Sequence, residues 1–563
     1  MNNPSNGKYY NATRTATVSV RERNFDPDAV DFTITNTDGT MPSISGWSIS
    51  PSAGETDDAV NTCTVTFAAD GDYTITMNCT DRAGNRSHYT QVDEFTIDQT
   101  VPTINVTFDN NNAANGTYYD KPRTATVTVN EHNFNGSEVQ AAISASLQSQ
   151  GISAPGVNGW STSGDSHSAT IYFGTDGDYS FTINYTDLAG NPATAYTQDK
   201  FTVDQTKPEI DIFDIADKSA NNGTVAPGVK YSDVNYDASA VNISIKGPKH
   251  SEKTISGSRS SIPNGESIKM ADFEHKESVD DVYTLTAQVS DLAGNTDEKS
   301  VTFSVNRFGS NFIFGTSTEA FLDQYYSNKE QDLVVTEVNV DTLVHNGISY
   351  GLDGELVNLT KGTDYTVKES GNEASWKSYE YTIKAANFEK EGLYNVTIDS
   401  KDRAKNEVNN KVKEANIEFV IDKTKPTVVI TGVEDDGQYR TNNRDITIAV
   451  ADNVAMDRLD VQVDGTDSQS RSYDAKEIQK QKGEIPFSLA SSSNWQEIKA
   501  AAVDAAGNTA ETSELRVLIT ANLLVQFYRN TPLVVGSSVG LAAIAAALAV
   551  FLSKKKKSNQ KQA

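Results

Sequence analysis

The sequence predicts an all-β chain, a tandem array of antiparallel sandwiches followed by one apolar helix. Three observations carry this. A five-residue string recurs five times at near-regular spacing, apolar residues alternate before each copy, and one uncharged stretch stands near the C-terminus. At 563 residues the chain is too long for a single apolar core, so several domains are required.

The string is Asp-x-Ala-Gly-Asn or a near copy, starting at Asp81, Asp187, Asp291, Asp402 and Asp504, at intervals of 106, 104, 111 and 102 residues. A period of that size is the size of one domain. The fourth copy departs, with Lys405 where the others have glycine. Eight residues before the first four copies stand Tyr73, Tyr179, Tyr283 and Tyr394; the fifth has Gln496 there. Apolar residues then fall at every second place, as in Tyr73, Ile75, Met77 and Cys79, the mark of a strand with one buried face. The string itself reads as the turn that follows.

A second signature ends the repeats: Phe95-Thr-Ile-Asp98, Phe201-Thr-Val-Asp204 and Phe419-Val-Ile-Asp422, each with a proline four residues after its aspartate; Phe303-Ser-Val-Asn306 is a weaker copy. It reads as a last strand and a short linker, since proline suits a linker or the first residue of a strand. Near the front, Arg14–Val20 and Arg123–Val129 match closely, followed by Glu22-x-Asn-Phe25 and Glu131-x-Asn-Phe134. The expected domains are 1–101, 102–207, 208–306, 307–425 and 426–520, with a juxtamembrane linker at 521–531. The first lacks a counterpart of the strand Ile104–Phe108 and reads as truncated at its N-terminus, a fragment of a longer protein. Short strands in domains of about 100 residues point to immunoglobulin-type sandwiches. In the fourth, Phe321–Tyr326 reads as a short helix, and Trp376, Tyr379 and Tyr381 read as core.

On these motifs the chain resembles the bacterial Ig-like repeat proteins of Gram-positive cell surfaces, most fully in its first two repeats. The resemblance implies a stalk or adhesin module whose partner is an extracellular protein or glycan. The alternative is the non-catalytic stalk of a larger surface enzyme with its catalytic domain upstream.

From Pro532 to Leu552 run 21 residues without a charge, about 32 Å of helix, followed by Lys554–Lys557. This predicts a single membrane-spanning helix, with the basic tail 553–563 cytoplasmic and the repeats outside. Lysine and arginine total 48 against 76 acids, a net charge of −28 that excludes nucleic acid as a partner. No catalytic role is expected. The six histidines are scattered, and Gly536-Ser-Ser-Val-Gly540 fits a hydrolase pattern but lies inside the apolar stretch, without partners.

Two further sets of residues stand out. Cys63 and Cys79 both fall on core-facing positions. They read either as an inter-sheet disulfide or as two buried thiols. At the repeat junctions, calcium is the candidate ligand of three sets: Asp98, Glu131, Asn133 and Asp187; Asp204, Asp233, Asn235 and Asp291; Asp422, Asp452, Asn453 and Asp504. Each draws hard oxygen donors from a linker and two loops. The plainer reading, which the residues alone favour, is that these Asp and Asn side chains cap turns. Asn306 breaks the pattern at the third junction, which is therefore expected to be the most flexible.

Overall fold

The computed structural model describes residues 4, 6–149, 152–465, 469–523 and 525. Among them, five apolar cores follow one another along the chain. They run from Tyr10 to Ile97, Tyr119 to Val203, Ile210 to Val305, Phe321 to Ile421 and Val433 to Ile519. Each lies between two sheets.

The second repeat shows the plan. One sheet orders the strands Ser161–Ser163, Ser166–Phe173, Arg123–Asn130 and Thr103–Phe108. The other orders Gln148–Ser149, Gly177–Ile183, Tyr196–Val203 and Tyr118–Tyr119. Strict alternation puts Ala125, Val127 and Val129 inside, fully buried, and sends the threonines between them outward. The last strand ends the repeat beside a short parallel strand, Thr202 opposite Tyr118. Each repeat keeps that parallel pair: Tyr9–Tyr10, Ser219–Asn221, Tyr326–Ser327 and Gly437–Tyr439 against the respective last strands. It fixes the height at which the chain leaves one sandwich for the next.

The recurrent tyrosine is a corner brace. Tyr73, Tyr179, Tyr283 and Tyr394 donate their hydroxyls to the carbonyls of Ala69, Thr175, Val279 and Lys390, at 2.9, 2.7, 2.7 and 2.9 Å. In the fifth repeat the Gln496 amide does the same for Ala490 at 2.9 Å.

In the first repeat, the sheet formed by Ser43–Ile44, Val60–Phe67 and Arg14–Arg21 has no strand beyond Arg14–Arg21 among the described residues. Ala16 and Val18 are accordingly only half-buried, unlike Ala125 and Val127. Where the first repeat places the strand Val30–Asn36, the second places a helix, Gly136–Ser146, capped by Asn135 and buried through Val139 and Ile143. The fourth repeat carries a helix at Thr316–Gln324, longer than the segment read from the sequence, with Tyr325 beyond its end. Tyr379 and Tyr381 lie in the core there. Trp376 does not: its indole leaves the repeat, because its N–H finds the buried Asp281 carboxylate of the third repeat at 2.6 Å.

Cys63 and Cys79 are buried free thiols in opposite sheets. Burial pushes both thiols upward in pKa. The stretch Pro532–Leu552 lies outside the described residues, and no helix among the described residues is long and apolar enough to cross a membrane.

Candidate functional site

The junctions gather the chain's most unusual chemistry, and local hydrogen bonding explains how. In each Asp-x-Ala-Gly-Asn string the first and last residues close the turn. Asp187 accepts from the Asn191 backbone N–H through Oδ1 and from the Asn191 side-chain amide through Oδ2, both at 2.8 Å. The pairs Asp291–Asn295 and Asp504–Asn508 repeat this within 2.9 Å. The turn reverses at a left-handed residue: Gly190 has φ 94° and Gly294 φ 91°. Lys405 is forced to φ 74° in the fourth copy, a conformation glycine takes at little cost.

The same asparagine reaches across the junction. Asn191 Nδ2 donates to the Asp98 carbonyl, Asn295 to that of Asp204, Asn406 to that of Asn306 and Asn508 to that of Asp422, each at 2.8 Å. The sequence reading used only the aspartate of the string and missed this clamp. The signal was present, since the terminal asparagine stands in all five copies.

Three junctions bring carboxylates together. The sets are Asp98, Glu131 and Asp187; Asp204, Asp233 and Asp291; and Asp422, Asp452 and Asp504. In each, one oxygen per residue lies within 4.8 Å of the others. Oxygens held about 2.4 Å from one calcium ion sit at most about 4.8 Å apart, so the spacing suits that ion. Asn133 and Asn235 turn their side-chain amides toward these sets. Their nitrogens donate to the linker carboxylates Asp98 and Asp204, at 2.8 Å each. The Asn453 side chain bonds Asp422.

These acids are costly as they stand. None of the nine is paired with a lysine, arginine or histidine among the described residues. Two unit charges about 4.8 Å apart repel by on the order of 3 kcal/mol at the effective dielectric of a partly buried site. Burial, then Asp98 and Asp187, push the Glu131 carboxyl up to about 7. Burial raises Asp98, with Asp187 adding to it; burial likewise raises Asp204, Asp233 and Asp422. Two oxygens are left over. Glu131 is 3% exposed, and its Oε2 receives no N–H or O–H from a neutral or basic group; the group it meets is the Asp98 carboxylate, with which a carboxyl held near 7 can share a proton. Asp452 Oδ1 has no hydrogen-bond partner. Turn capping accounts for the other oxygen of each: Glu131 Oε1 accepts from Asn133 N at 2.7 Å and Asp452 Oδ2 from Val454 N at 2.8 Å. It leaves the Glu131 oxygen facing only another acid, and the Asp452 oxygen facing nothing.

The third junction is different. Asn306 holds the linker position, and it is fully buried with Asn339, Asp341 and Asp402 around it. The side chains of this junction hydrogen-bond one another directly, because an amide both donates and accepts where a carboxylate only accepts.

Comparison with known proteins agrees with the repeat plan. The model of the bacterial Ig-like domain (group 3) matches residues 61–133, 173–247 and 377–525, more than half of the chain. A second bacterial Ig-like domain model matches 255–306. The first two matches each run through a junction, from Asn61 past Glu131 and from Phe173 past Asp233. A crystal structure described as the tetra-tandem repeat in the extending region of a large adhesion protein aligns with 75% of this chain and 100% of its own, at 14% identity and a TM-score of 0.29. That score is too low to carry an argument. No curated protein matches the chain. By the extent of the first match, the chain belongs to the bacterial Ig-like (group 3) domain family.

Proposed function

We propose that the chain is a cell-surface stalk of adhesin type, whose first, second and fourth junctions bind calcium. The observation that carries the calcium reading is the buried Glu131 carboxyl set against Asp98 and Asp187 with no basic side chain beside it. A divalent cation there would satisfy that carboxyl, offset the repulsion among three carboxylates and join a linker to two loops of the next sandwich. Successive repeats would then share one orientation, which is what a stalk requires. The reading assigns the chain no catalytic step. It places the uncharged stretch Pro532–Leu552 in the cell membrane, with Lys554–Lys557 inside and the repeats outside, presented to an extracellular protein or glycan.

Small-angle scattering with and without calcium tests the stalk. Each sandwich is about 40 Å long, from strands of six to nine residues at about 3.3 Å each plus loops. Five in line make about 200 Å, and the particle should be longer and stiffer in calcium than in chelator. The change should shrink in a protein carrying Asp98→Ala and Asp187→Ala. Identical profiles, with no heat of binding at millimolar calcium, would refute the calcium reading. Protease shaving of intact cells tests the placement: a product confined to the cytosol would refute it.

A further inference from the structure

Backbone bonds identify equivalent positions at the four junctions. The linker residue gives its N–H to the short parallel strand: Asp98 to Tyr10, Asp204 to Tyr119, Asn306 to Asn221 and Asp422 to Ser327, at 2.9, 2.9, 2.8 and 2.9 Å. Asn306 is therefore the third linker residue in place of aspartate. In the first loop a side-chain oxygen accepts from the N–H two residues on. Glu131 accepts from Asn133 at 2.7 Å, Asp233 from Asn235 at 2.6 Å and Asn339 from Asp341 at 2.7 Å. Asn339 thus stands where Glu131 and Asp233 stand, and Asp341 stands where Asn133 and Asn235 do.

At the third junction, then, the linker and first-loop carboxylates have become amides, and the amide two residues on has become a carboxylate. The contacts match this exchange. Asn306 Nδ2 lies 2.9 Å from Asn339 Oδ1, 3.1 Å from Asp341 Oδ2 and 2.8 Å from Asp402 Oδ2. One NH₂ group sits among three oxygens from two loops. The remaining valences are filled from the protein. Asn339 Nδ2 donates to Ser310 Oγ at 2.8 Å, and Ser304 Oγ donates to Asp341 at 2.7 Å. Asn306 and Ser310 are fully buried.

We infer that the third junction is held without a cation, the Asn306 amide donating to the loop oxygens from the place the ion takes at the other three and separating the two carboxylates, Asp341 and Asp402, that remain. This rests on the calcium reading of those three. An amide nitrogen at that point, its hydrogens directed at the oxygens, excludes a cation from the same space. Packing around the linker adds to the lock. The Arg307 side chain, 1% exposed, donates to the carbonyls of Gly223, Phe273 and Glu274 and to Asp272. Trp376 of the fourth repeat donates to Asp281 of the third, under the Lys249 ammonium. Arg403 donates to the Lys218 carbonyl, and Lys218 pairs with Glu373 at 2.7 Å. The third and fourth repeats form one permanent body between joints that calcium sets.

Hydrogen exchange read by mass spectrometry, on the full chain in detergent, separates the joints. On moving from calcium to chelator, peptides holding 98–102, 204–208 and 422–426 should exchange at least about ten-fold faster. The peptide holding 306–310 should change by less than about two-fold. Asn306→Asp should convert this joint to the other kind, fast in chelator and slow in calcium. An equal response at all four joints of the unaltered chain would overturn the inference and leave the calcium reading standing. No response at any joint would overturn both. An Asn306→Asp chain whose 306–310 peptide behaves as in the unaltered chain would also overturn the inference. The unaltered chain alone decides the matter if that variant does not fold.

Discussion

Asn191→Ala isolates the worth of the inter-repeat clamp, because the first repeat supplies its control. Asn191 closes its own turn through Asp187 and also holds the Asp98 carbonyl, at 8% exposure. Asn85 closes the equivalent turn in the same way, Nδ2 to Asp81 Oδ2 at 2.8 Å and N to Asp81 Oδ1 at 2.7 Å, but is exposed. Truncating Asn85 removes one exposed charge-assisted bond and should cost less than about 1 kcal/mol. Truncating Asn191 removes a buried bond to a carboxylate and a buried bond to a carbonyl, together about 2–4 kcal/mol. The difference belongs largely to the coupling between repeats. About 1.4 kcal/mol is a ten-fold change in an opening equilibrium, so exchange at the Asp98 and Thr100 amides should speed up by about 10–100-fold in Asn191→Ala. Asn85→Ala should leave those amides as they were. If both variants leave exchange at 98–102 unchanged, the clamp does not hold the linker and the bond from Asn191 to Asp98 does not matter.

Three further predictions concern the repeats themselves. Lys405→Gly should stabilise the fourth repeat by about 0.5–1 kcal/mol, since relief of a left-handed lysine outweighs the entropy cost of glycine, while Gly190→Ala should destabilise the second by about 1–2 kcal/mol; urea unfolding of the two variants checks the opposite signs. Tyr179→Phe should cost about 1–2 kcal/mol by stranding the Thr175 carbonyl, read as a lower melting temperature of the second repeat. Cys63 and Cys79 should resist a thiol reagent in the native protein and react once it is denatured without reductant; failure to react under denaturing conditions would show a bridge instead.

What was legible in the sequence is what repeats. The Asp-x-Ala-Gly-Asn string, the tyrosine before it and the alternation between them mark one strand, its brace and its turn, and local chemistry alone decides all three. The helix Gly136–Ser146 escaped the reading although its signals were there, Asn135 followed by Glu138 and then Val139 and Ile143 on one face. The reading left the segment between Phe134 and Trp160 without an element. Trp376 escaped for another reason. An aromatic residue near Tyr379 and Tyr381 looks like core from composition, and only the neighbouring repeat, with the buried Asp281, shows where its N–H goes.

The third junction shows the limit of counting charges along a chain. Read as sequence, Asp98, Asp204 and Asp422 are ligands, and Asn306 is a ligand lost, so the joint it serves looks weaker. A carboxylate, however, can only accept hydrogen bonds, and a junction built from three of them is incomplete until something positive arrives. Asn306 brings two N–H donors of its own, shared among the Asn339, Asp341 and Asp402 oxygens. The N–H donors brought to the linker position, not the loss of a charge, make the joint self-sufficient. It becomes visible only when residues from the linker, the first loop and the Asp402 turn, spread over nearly a hundred positions, are brought to one point.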